Sequence, residues 1–256
     1  MINPFHLPTF HLIALHEYPK RRENTERILT TLNIPFTTCL FRADKDNAER
    51  GCRNSHVALS KYCIDQDWPF IIILEDNVQP TATQNIHTGS FQKLLRCIRS
   101  PNIWQFCDII LLAAVFFPHQ NCSSVSIPTL ADIFVQTHNH IHGASCYIIS
   151  RRACERVWKE YMQNDLAKLP IDSYYTATFR QWMFRPLLFH HGAYEKSIVN
   201  PGIDWVRKLY FHPSVYKRVE AAFFEQRLPW LFAEIVIVSI SIFALFVYLI
   251  VKRMKS

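Results

Sequence analysis

The chain has 256 residues, of which 49% are hydrophobic, 14% aromatic and 19% charged, and it contains only five glycines. This composition excludes an intrinsically disordered chain and a collagen-like repeat. The formal net charge is +7, but residues 207–256 carry +5 of it, with eight basic and three acidic side chains, which leaves +2 for residues 1–206. A nucleic-acid-binding protein would carry the excess on its folded domain, so we expect no nucleic-acid partner.

The longest apolar run, LFAEIVIVSISIFALFVYLIV, covers residues 231–251 and contains one charged residue, Glu234. About 20 such residues cross a bilayer, whereas a buried core helix would be expected to show polar residues on one face. We therefore predict one C-terminal transmembrane helix over 231–251, followed by a basic tail at 252–256. The basic aromatic segment 205–230 is predicted to lie at the headgroup level, where Trp and Tyr are enriched, so membrane lipid is an expected partner.

The first residues are apolar but have neither a basic n-region nor a small-residue cleavage site, so they are not typical of a signal peptide. Together with the C-terminal anchor, this predicts a single-pass, tail-anchored membrane protein whose main domain, residues 1–204, faces the cytosol. The eight cysteines include no CxxC pair. That spacing excludes a zinc ribbon and agrees with a reducing compartment.

Strands and helices alternate along the main domain. We predict strands at 11–15, 36–41, 69–74, 108–114 and 144–150, helices at 21–32, 55–67, 91–99 and 151–163, and surface loops within 115–140. Short, continuous apolar runs such as 69–74 are typical of strands that are buried on both faces. The alternation predicts a single α/β domain with a mostly parallel central sheet.

Glu75 and Asp76 directly follow the strand predicted at 69–74. Ligands of open α/β sheets bind beyond the carboxyl ends of strands, and carboxylates there can hold a divalent cation that clamps a diphosphate. From the pattern alone, a surface turn is the favoured explanation of an isolated acidic pair. His138, His140 and His142 alternate and could share one strand face as zinc ligands, although a loop fits the same residues.

Two motifs in sequence, GCRNSH at residues 51–56 and IILEDNV at 72–78, resemble the signature of glycosyltransferase family 25. This family includes lipooligosaccharide and collagen β-galactosyltransferases. Further blocks similar to the family lie at residues 13–22, 107–112, 142–153 and 170–172. The resemblance implies a GT-A-like fold, a nucleotide-sugar donor (UDP-galactose in characterised members) and an inverting transfer to the hydroxyl of a glycan or protein acceptor.

The resemblance also implies roles for individual residues. It assigns nucleotide-sugar binding to Arg21, Arg22, Ser55, His56, Glu75 and Asp76, a Mn²⁺ or Mg²⁺ ion to Asp76 and Asn77, and the base that takes the acceptor's proton to Asp172. Structural alternatives stay open: a solvated helix start for the two arginines, a packing role for His56 and a helix N-cap for Asp172.

Asn77 stands where the family has a second aspartate. Its amide oxygen can bind a cation but carries no charge, so metal binding is expected to be weaker. Two functions therefore stay open, an active glycosyltransferase and a non-catalytic membrane or virion structural protein with a degenerate scaffold. A compact chain with a C-terminal anchor is unlike the cellular members, which leaves a viral origin, and with it a host membrane or virion location, open.

Overall fold

The computed structural model describes most of the main domain and part of the C-terminal region. The described residues are 8–81, 89–116, 120–138, 145–163, 169–192, 212–227, 229–233 and 236–237. Within them, strands form one eight-stranded and one two-stranded sheet, and helices cover both faces of the larger sheet. The α/β prediction is confirmed.

The described strands are β1 (Phe10–Leu15), β2 (Phe36–Phe41), β3 (Phe70–Glu75), β4 (Val78–Pro80), β5 (Ile109–Leu111), β6 (Asn121–Ser124), β7 (Phe134–His138), β8 (Cys146–Ser150), β9 (Gln181–Phe184) and β10 (Phe189–His191). The described α-helices are α1 (Pro19–Thr31), α2 (Ala48–Asp65), α3 (Gly89–Arg99), α4 (Arg151–Met162), α5 (Ile171–Thr178) and α6 (Pro213–Phe224). All nine predicted elements are present. Helix α2 begins earlier than predicted because the side chain of Asn47 accepts the Arg50 N–H and caps it.

The large sheet has the strand order β2-β1-β3-β8-β5-β9-β7-β6. Among these strands six run in one direction, in keeping with the predicted parallel majority, but the sheet is mixed because β7 and β8 run the opposite way. Strand β8 lies between β3 and β5 and is antiparallel to both. Local apolar patterns report burial and not strand direction, so the sequence did not reveal this reversal.

Strand β3 shows how the sheet divides the core. Ile71 and Ile73 pack on the face that carries α2, α4, α5 and α6, whereas Ile72 and Leu74 pack on the face that carries α1 and α3. Successive strand residues point to opposite faces, and both faces of β3 are apolar because helices cover both. Helices cover the side chains of β3 as far as Leu74. The polar residues that follow it are therefore the first along this strand that a ligand can contact.

The stretch 115–140, predicted as surface loops, contains two paired strands. β6 and β7 are antiparallel and form one edge of the large sheet. The prediction was wrong here because β6 has the sequence NCSS. Such a short polar strand lacks the apolar alternation by which strands are recognised.

Helix α6 lies within the segment predicted to sit at a membrane interface. Tyr216 and Phe223 are each 1% exposed and belong to the core. The Tyr216 hydroxyl donates to the carbonyl of Ala114 at 2.9 Å, and the Phe223 ring lies 4.4 Å from that of Phe116. The interfacial prediction is therefore wrong for Tyr216 and Phe223, because the sheet provides an apolar surface for them.

No helix within the described part of the chain is long and apolar enough to cross a membrane. Residues 238–251 of the predicted span, together with 205–211 and the basic tail at 252–256, lie outside the described residues.

Candidate functional site

The carboxyl ends of β1, β2 and β3 meet at one edge of the large sheet, since the three strands are parallel. The first turns of α1, which follows β1, approach Asp76, which follows β3. Nη2 of Arg21 lies 2.5 Å from Oδ1 of Asp76. The hydroxyl of Thr25 donates to the main-chain oxygen of Asp76 at 2.9 Å. Helix α1 thus holds the acidic strand end by a charge pair and by a main-chain contact.

Asp76 is buried with one oxygen unsatisfied. Its side chain is 6% exposed, and within the described residues Oδ2 has no hydrogen-bond partner. Burial raises the pKa of Asp76 to about 6; Arg21 opposes this shift and the charge of Glu75 adds to it. Buried polar groups without a partner are rare and call for an explanation such as a functional role. Asp76 is therefore a candidate ligand to a group that the described residues do not supply.

Glu75, by contrast, has partners on both oxygens. Oε1 lies 3.2 Å from Nε2 of His56 and accepts the thiol of Cys52 at 3.7 Å, while Oε2 accepts the Asn77 amide at 3.0 Å. Burial raises the pKa of Glu75, but His56, the charge of His191 and the Asn77 amide outweigh it and bring the pKa down to about 2. Glu75 is thus an ionised carboxylate that its neighbours hold in place.

His56 is fully buried in α2, and both of its ring nitrogens have partners. Nδ1 lies 2.7 Å from the hydroxyl of Tyr147, which in turn lies 3.0 Å from the hydroxyl of Tyr175. The preceding Ser55 donates its hydroxyl to the carbonyl of Gly51 one turn back, at 3.0 Å. In this structure His56 therefore orients Glu75, and the Ser55 hydroxyl bonds within α2.

Asn77 connects the acidic strand end to the small sheet of β4 and β10. Its Nδ2 lies 2.9 Å from Nε2 of His191, and its main-chain oxygen accepts the N–H of Gly192. A Cβ at position 192 would lie 2.8 Å from that oxygen, so only glycine fits without a shift. Oδ1 of Asn77 is buried and, among the described residues, has no hydrogen-bond partner. Asn77 thus presents a second unsatisfied oxygen next to Asp76.

The two predicted arginines have different surroundings. Arg21 reaches Asp76, whereas Nε of Arg22 lies 3.9 Å from Oε1 of Glu26, which also accepts the hydroxyl of Thr38 at 2.7 Å. The structure therefore brings Arg21, but not Arg22, into contact with the acidic strand end.

Asp172 lies in the first turn of α5, where Pro170 occupies the N-cap position. The N-cap alternative is therefore wrong, although Oδ1 of Asp172 accepts the N–H of Ser173 at 2.8 Å. Burial raises the pKa of the Cys52 thiol, and the negative charges of Glu75 and Asp172 add to the shift. Helix α5 packs against α2, so Asp172 lies on the element beside the helix that carries Cys52 and His56.

The histidines at alternate positions are only partly described. Nε2 of His138 lies 2.7 Å from the hydroxyl of Ser123 across the β6–β7 pair. His140 and His142 lie outside the described residues, so zinc binding by these three stays a prediction.

Several residues of the site were not predicted. Cys52 belongs to the GCRNSH motif but precedes the helix predicted at 55–67; because α2 begins earlier, Cys52 lies one turn before His56 on the same face. Tyr147 and His191 could not be recognised, because they reach His56 and Asn77 across 91 and 114 residues of sequence. Contacts of that separation leave no local pattern.

Comparison with known proteins identifies the family. The sequence profile of glycosyltransferase family 25 (LPS biosynthesis protein) matches residues 41–175, which include the motif residues from Gly51 to Asp172. No curated protein matches the sequence.

Two solved structures are similar in fold. A crystal structure of A197 from STIV shares 15% identity at a TM-score of 0.43, covering 72% of this chain and 85% of that one. A glycosyltransferase involved in the glycosylation of the major capsid of PBCV-1 shares 10% identity at a TM-score of 0.42, covering 72% and 92%. We draw nothing about function from similarities this distant.

Proposed function

We propose that this chain, which belongs to glycosyltransferase family 25, transfers a sugar from a nucleotide-sugar donor to the hydroxyl of a glycan or protein acceptor, with galactose as the sugar and inversion at its anomeric carbon. One observation carries the proposal. Asp76 Oδ2 and Asn77 Oδ1 are buried, unpartnered within the described residues and adjacent in sequence at the carboxyl end of β3. That edge of an α/β sheet is where ligands bind.

The two oxygens fit a hard divalent cation. Mg²⁺ and Mn²⁺ prefer oxygen ligands, and Mg²⁺ typically uses one or two protein carboxylates together with substrate phosphates. Asp76 and Asn77 would hold the ion. When bound, it supplies positive charge that stabilises the diphosphate leaving group. Because Asn77 is uncharged, we expect weaker metal retention than two aspartates would give.

The protein groups around the ion-binding oxygens have separate tasks in this proposal. Arg21 holds Oδ1 of Asp76, which leaves Oδ2 as the oxygen available for the cation. Glu75, held by His56 and Asn77, keeps the Asn77 amide oriented. Both contacts fix the ligands before the donor arrives, which lowers the cost of reorganisation during the reaction.

Asp172 is the proposed base. It takes the proton of the acceptor hydroxyl while that oxygen bonds to the anomeric carbon; the bond from this carbon to the diphosphate breaks and its electron pair leaves with the nucleotide. Oδ1 of Asp172 accepts the N–H of Ser173, a contact that holds the carboxylate in place. Removal of such a base costs about 10²–10⁴ in rate.

A non-catalytic membrane or virion structural protein is the second candidate. It is favoured by one contact pattern, in which Nδ2 of Asn77 already bonds to Glu75 and His191. These bonds hold the acidic strand end together without an ion. A glycosyltransferase must bind the nucleotide-sugar donor and, in this proposal, the cation, whereas a non-catalytic structural protein need bind neither.

Titration of UDP-sugars into the full-length protein, with and without Mn²⁺, tests the proposal. We expect one donor to bind more tightly with Mn²⁺, and Asp172→Asn to bind that donor normally while its transfer rate falls by about 10²–10⁴. Transfer by Asp172→Asn within a few-fold of wild type would assign the base elsewhere. If no UDP-sugar binds with or without Mn²⁺, the non-catalytic function is favoured.

A C-terminal anchor over 231–251, with the main domain on the cytosolic face of a host membrane or at a virion surface, is part of the proposal. It is supported by the apolar run and by the exposure of Trp230 and Ile237, at 73% and 62%. Leu231 and Phe232 pack against the core, so a truncation after residue 233 keeps them. We expect this truncation to release the protein from carbonate-washed membranes, and a truncation after 251 to leave it bound. Release of both, or neither, would contradict the anchor.

A further inference from the structure

Cys52, His56 and Glu75 place three metal-ligating atoms together. Cys52 and His56 lie one turn apart on the same face of α2, and Glu75 ends β3 opposite them. Sγ of Cys52, Nε2 of His56 and a carboxylate oxygen of Glu75 all lie within 4.8 Å of one another. Within the described part of the chain, this is the one such group of three or more Cys, His, Asp and Glu residues.

The two separations that involve Glu75 match a tetrahedral ion. Zinc bonds of about 2.3 Å to sulfur and about 2.0–2.2 Å to nitrogen and oxygen imply ligand–ligand separations of about 3.3–3.6 Å. Oε1 of Glu75 lies 3.2 Å from Nε2 of His56 and 3.7 Å from Sγ of Cys52. Each distance is within about 0.2 Å of the separation that a bound ion requires.

The residues behind the ligands support the same interpretation. A metal-bound histidine donates its second ring N–H to an outer partner, which fixes the ring. Here Nδ1 of His56 meets the hydroxyl of Tyr147, and Tyr175 lies behind it. Either tyrosine hydroxyl of that pair can donate to the other. When Nε2 of His56 becomes a ligand, the Tyr147 oxygen can therefore accept a hydrogen bond from Nδ1–H of His56. Cys52 and Glu75 are only partly buried, which gives an ion a route to the fully buried His56.

The geometry points to a zinc-type binding site formed by Cys52, His56 and Glu75, distinct from the cation proposed at Asp76 and Asn77. Sulfur and imidazole ligands select zinc and similar metals, whereas Mg²⁺ and Mn²⁺ prefer oxygen alone. Binding displaces the Cys52 thiol proton to the buffer. Since Oε2 of Glu75 accepts the Asn77 amide, the ion fixes the same carboxylate that orients Asn77. Metal binding at this site does not require that the protein transfers a sugar.

Titration of metal-free, full-length protein with Co²⁺ tests this site, because a cysteine thiolate bound to Co²⁺ gives a charge-transfer band. We expect one Co²⁺ per chain with this band, displaced by Zn²⁺. Cys52→Ser should abolish the band and weaken binding by at least about 100-fold, more than loss of an outer partner costs. The matched control is Cys39→Ser, since Cys39 is also a partly buried free cysteine but lies on β2, and it should change neither.

A second measurement uses the unmodified chain and does not depend on folding of a variant. Zn²⁺ should protect Cys52 from alkylation, as read by peptide mass spectrometry, and a chelator should restore its reaction, whereas Cys39 should react alike in both states. Absence of a thiolate band, a band that persists in Cys52→Ser, or equal alkylation of Cys52 with and without Zn²⁺ would overturn the site. The cluster would then be a hydrogen-bonded support for Glu75.

Discussion

Two buried aspartates lie at opposite ends of the parallel strands of the large sheet, and their surroundings differ. Asp76 follows β3, and its Oδ1 contacts Arg21 while Oδ2 is unpartnered within the described residues. Asp108 precedes β5, which runs in the same direction. Its Oδ1 contacts Arg152 and its Oδ2 accepts the main-chain N–H of Arg180 at 3.1 Å.

The difference separates a structural carboxylate from a candidate ligand. Asp108 has both oxygens paired with side-chain and main-chain donors, so its contacts account for its burial. Asp76 is buried to a similar degree, but among the described residues only one of its side-chain oxygens has a partner. A buried group without a partner calls for an explanation, such as a functional role or a bound water or ion. Burial alone would not have distinguished the two residues.

Among the carboxylates Asp76, Glu220 and Asp108, the largest effect is expected at Asp76. Asp76→Asn removes the charge that faces the cation while the Thr25 hydroxyl keeps its main-chain partner, so the fold should persist. We expect transfer to fall by about 10²–10³, the size that loss of one electrostatic contact to a transition state produces. Steady-state kinetics with saturating Mn²⁺, together with a thermal melt, measure the two quantities. Transfer within three-fold of wild type, roughly half a kcal/mol, would remove Asp76 from the site.

A third carboxylate, Glu220 on α6, is partly buried and has a main-chain donor. Oε1 of Glu220 accepts the Leu187 N–H at 2.9 Å. Burial raises the pKa of Glu220 from its usual 4.5 to about 7, against the opposing effects of Leu187 and Lys217. Since the pKa is higher in the folded state, its contribution to stability is complete below pH 4.5 and is lost as the pH rises through 7.

Glu220→Gln keeps an acceptor for Leu187 and cannot ionise. We expect its free energy of unfolding to equal that of wild type at acidic pH and to exceed it by up to about 3 kcal/mol at pH about 8. Urea unfolding at both pH values measures the difference. Parallel pH profiles for the two proteins would show that the pKa of Glu220 is the same in the folded and the unfolded chain.

At Asp108 the expected effect concerns stability and not transfer. Asp108→Asn keeps the shape but removes the charge that meets Arg152 and replaces one acceptor oxygen with a donor. We expect a loss of about 1–3 kcal/mol in the free energy of unfolding, with kcat/KM close to wild type because β5 starts at the edge away from the site. A transfer defect as large as that of Asp76→Asn would show that the two edges are not functionally separate.

The smallest effect is expected at Arg22. Its contact with Glu26 is long and partly exposed, and such pairs contribute about 0.5 kcal/mol or less. Arg22→Ala should therefore leave both the melting temperature and the affinity for a UDP-sugar nearly unchanged. Calorimetric titration of the donor checks this, and a tenfold loss of affinity would restore Arg22 to the donor site.

The sequence predicted the part of the site that depends on local pattern. Glu75 and Asp76 were placed correctly at a strand end because β3 is a short apolar run followed at once by charged residues. The helical periodicity over 55–67 predicted the part of α2 that carries His56, but not the first turns that carry Cys52. Family resemblance, confirmed by the match over residues 41–175, directed attention to these positions.

The partners of those residues could not be predicted. Tyr147 lies in β8, whose reversed direction is not encoded in its apolar sequence. His191 is placed by the pairing of β10 with β4, two short strands that carry no alternation. The orphan oxygens of Asp76 and Asn77 are consequences of packing from several elements, so the distinction between ligand and support required the three-dimensional arrangement.

The pairing of β4 with β10 also has a consequence for the order of folding. The contact between Asn77 and His191 closes a loop of 114 residues, and the entropic cost of closure grows with loop length. Pairings that distant form late. During synthesis, β1 to β3 can associate while β10 is still unmade, so the acidic strand end acquires its final arrangement only after nearly the whole domain has left the ribosome. A partly synthesised chain therefore has the carboxyl ends of β1 to β3 but lacks the contact between Asn77 and His191 that completes the site.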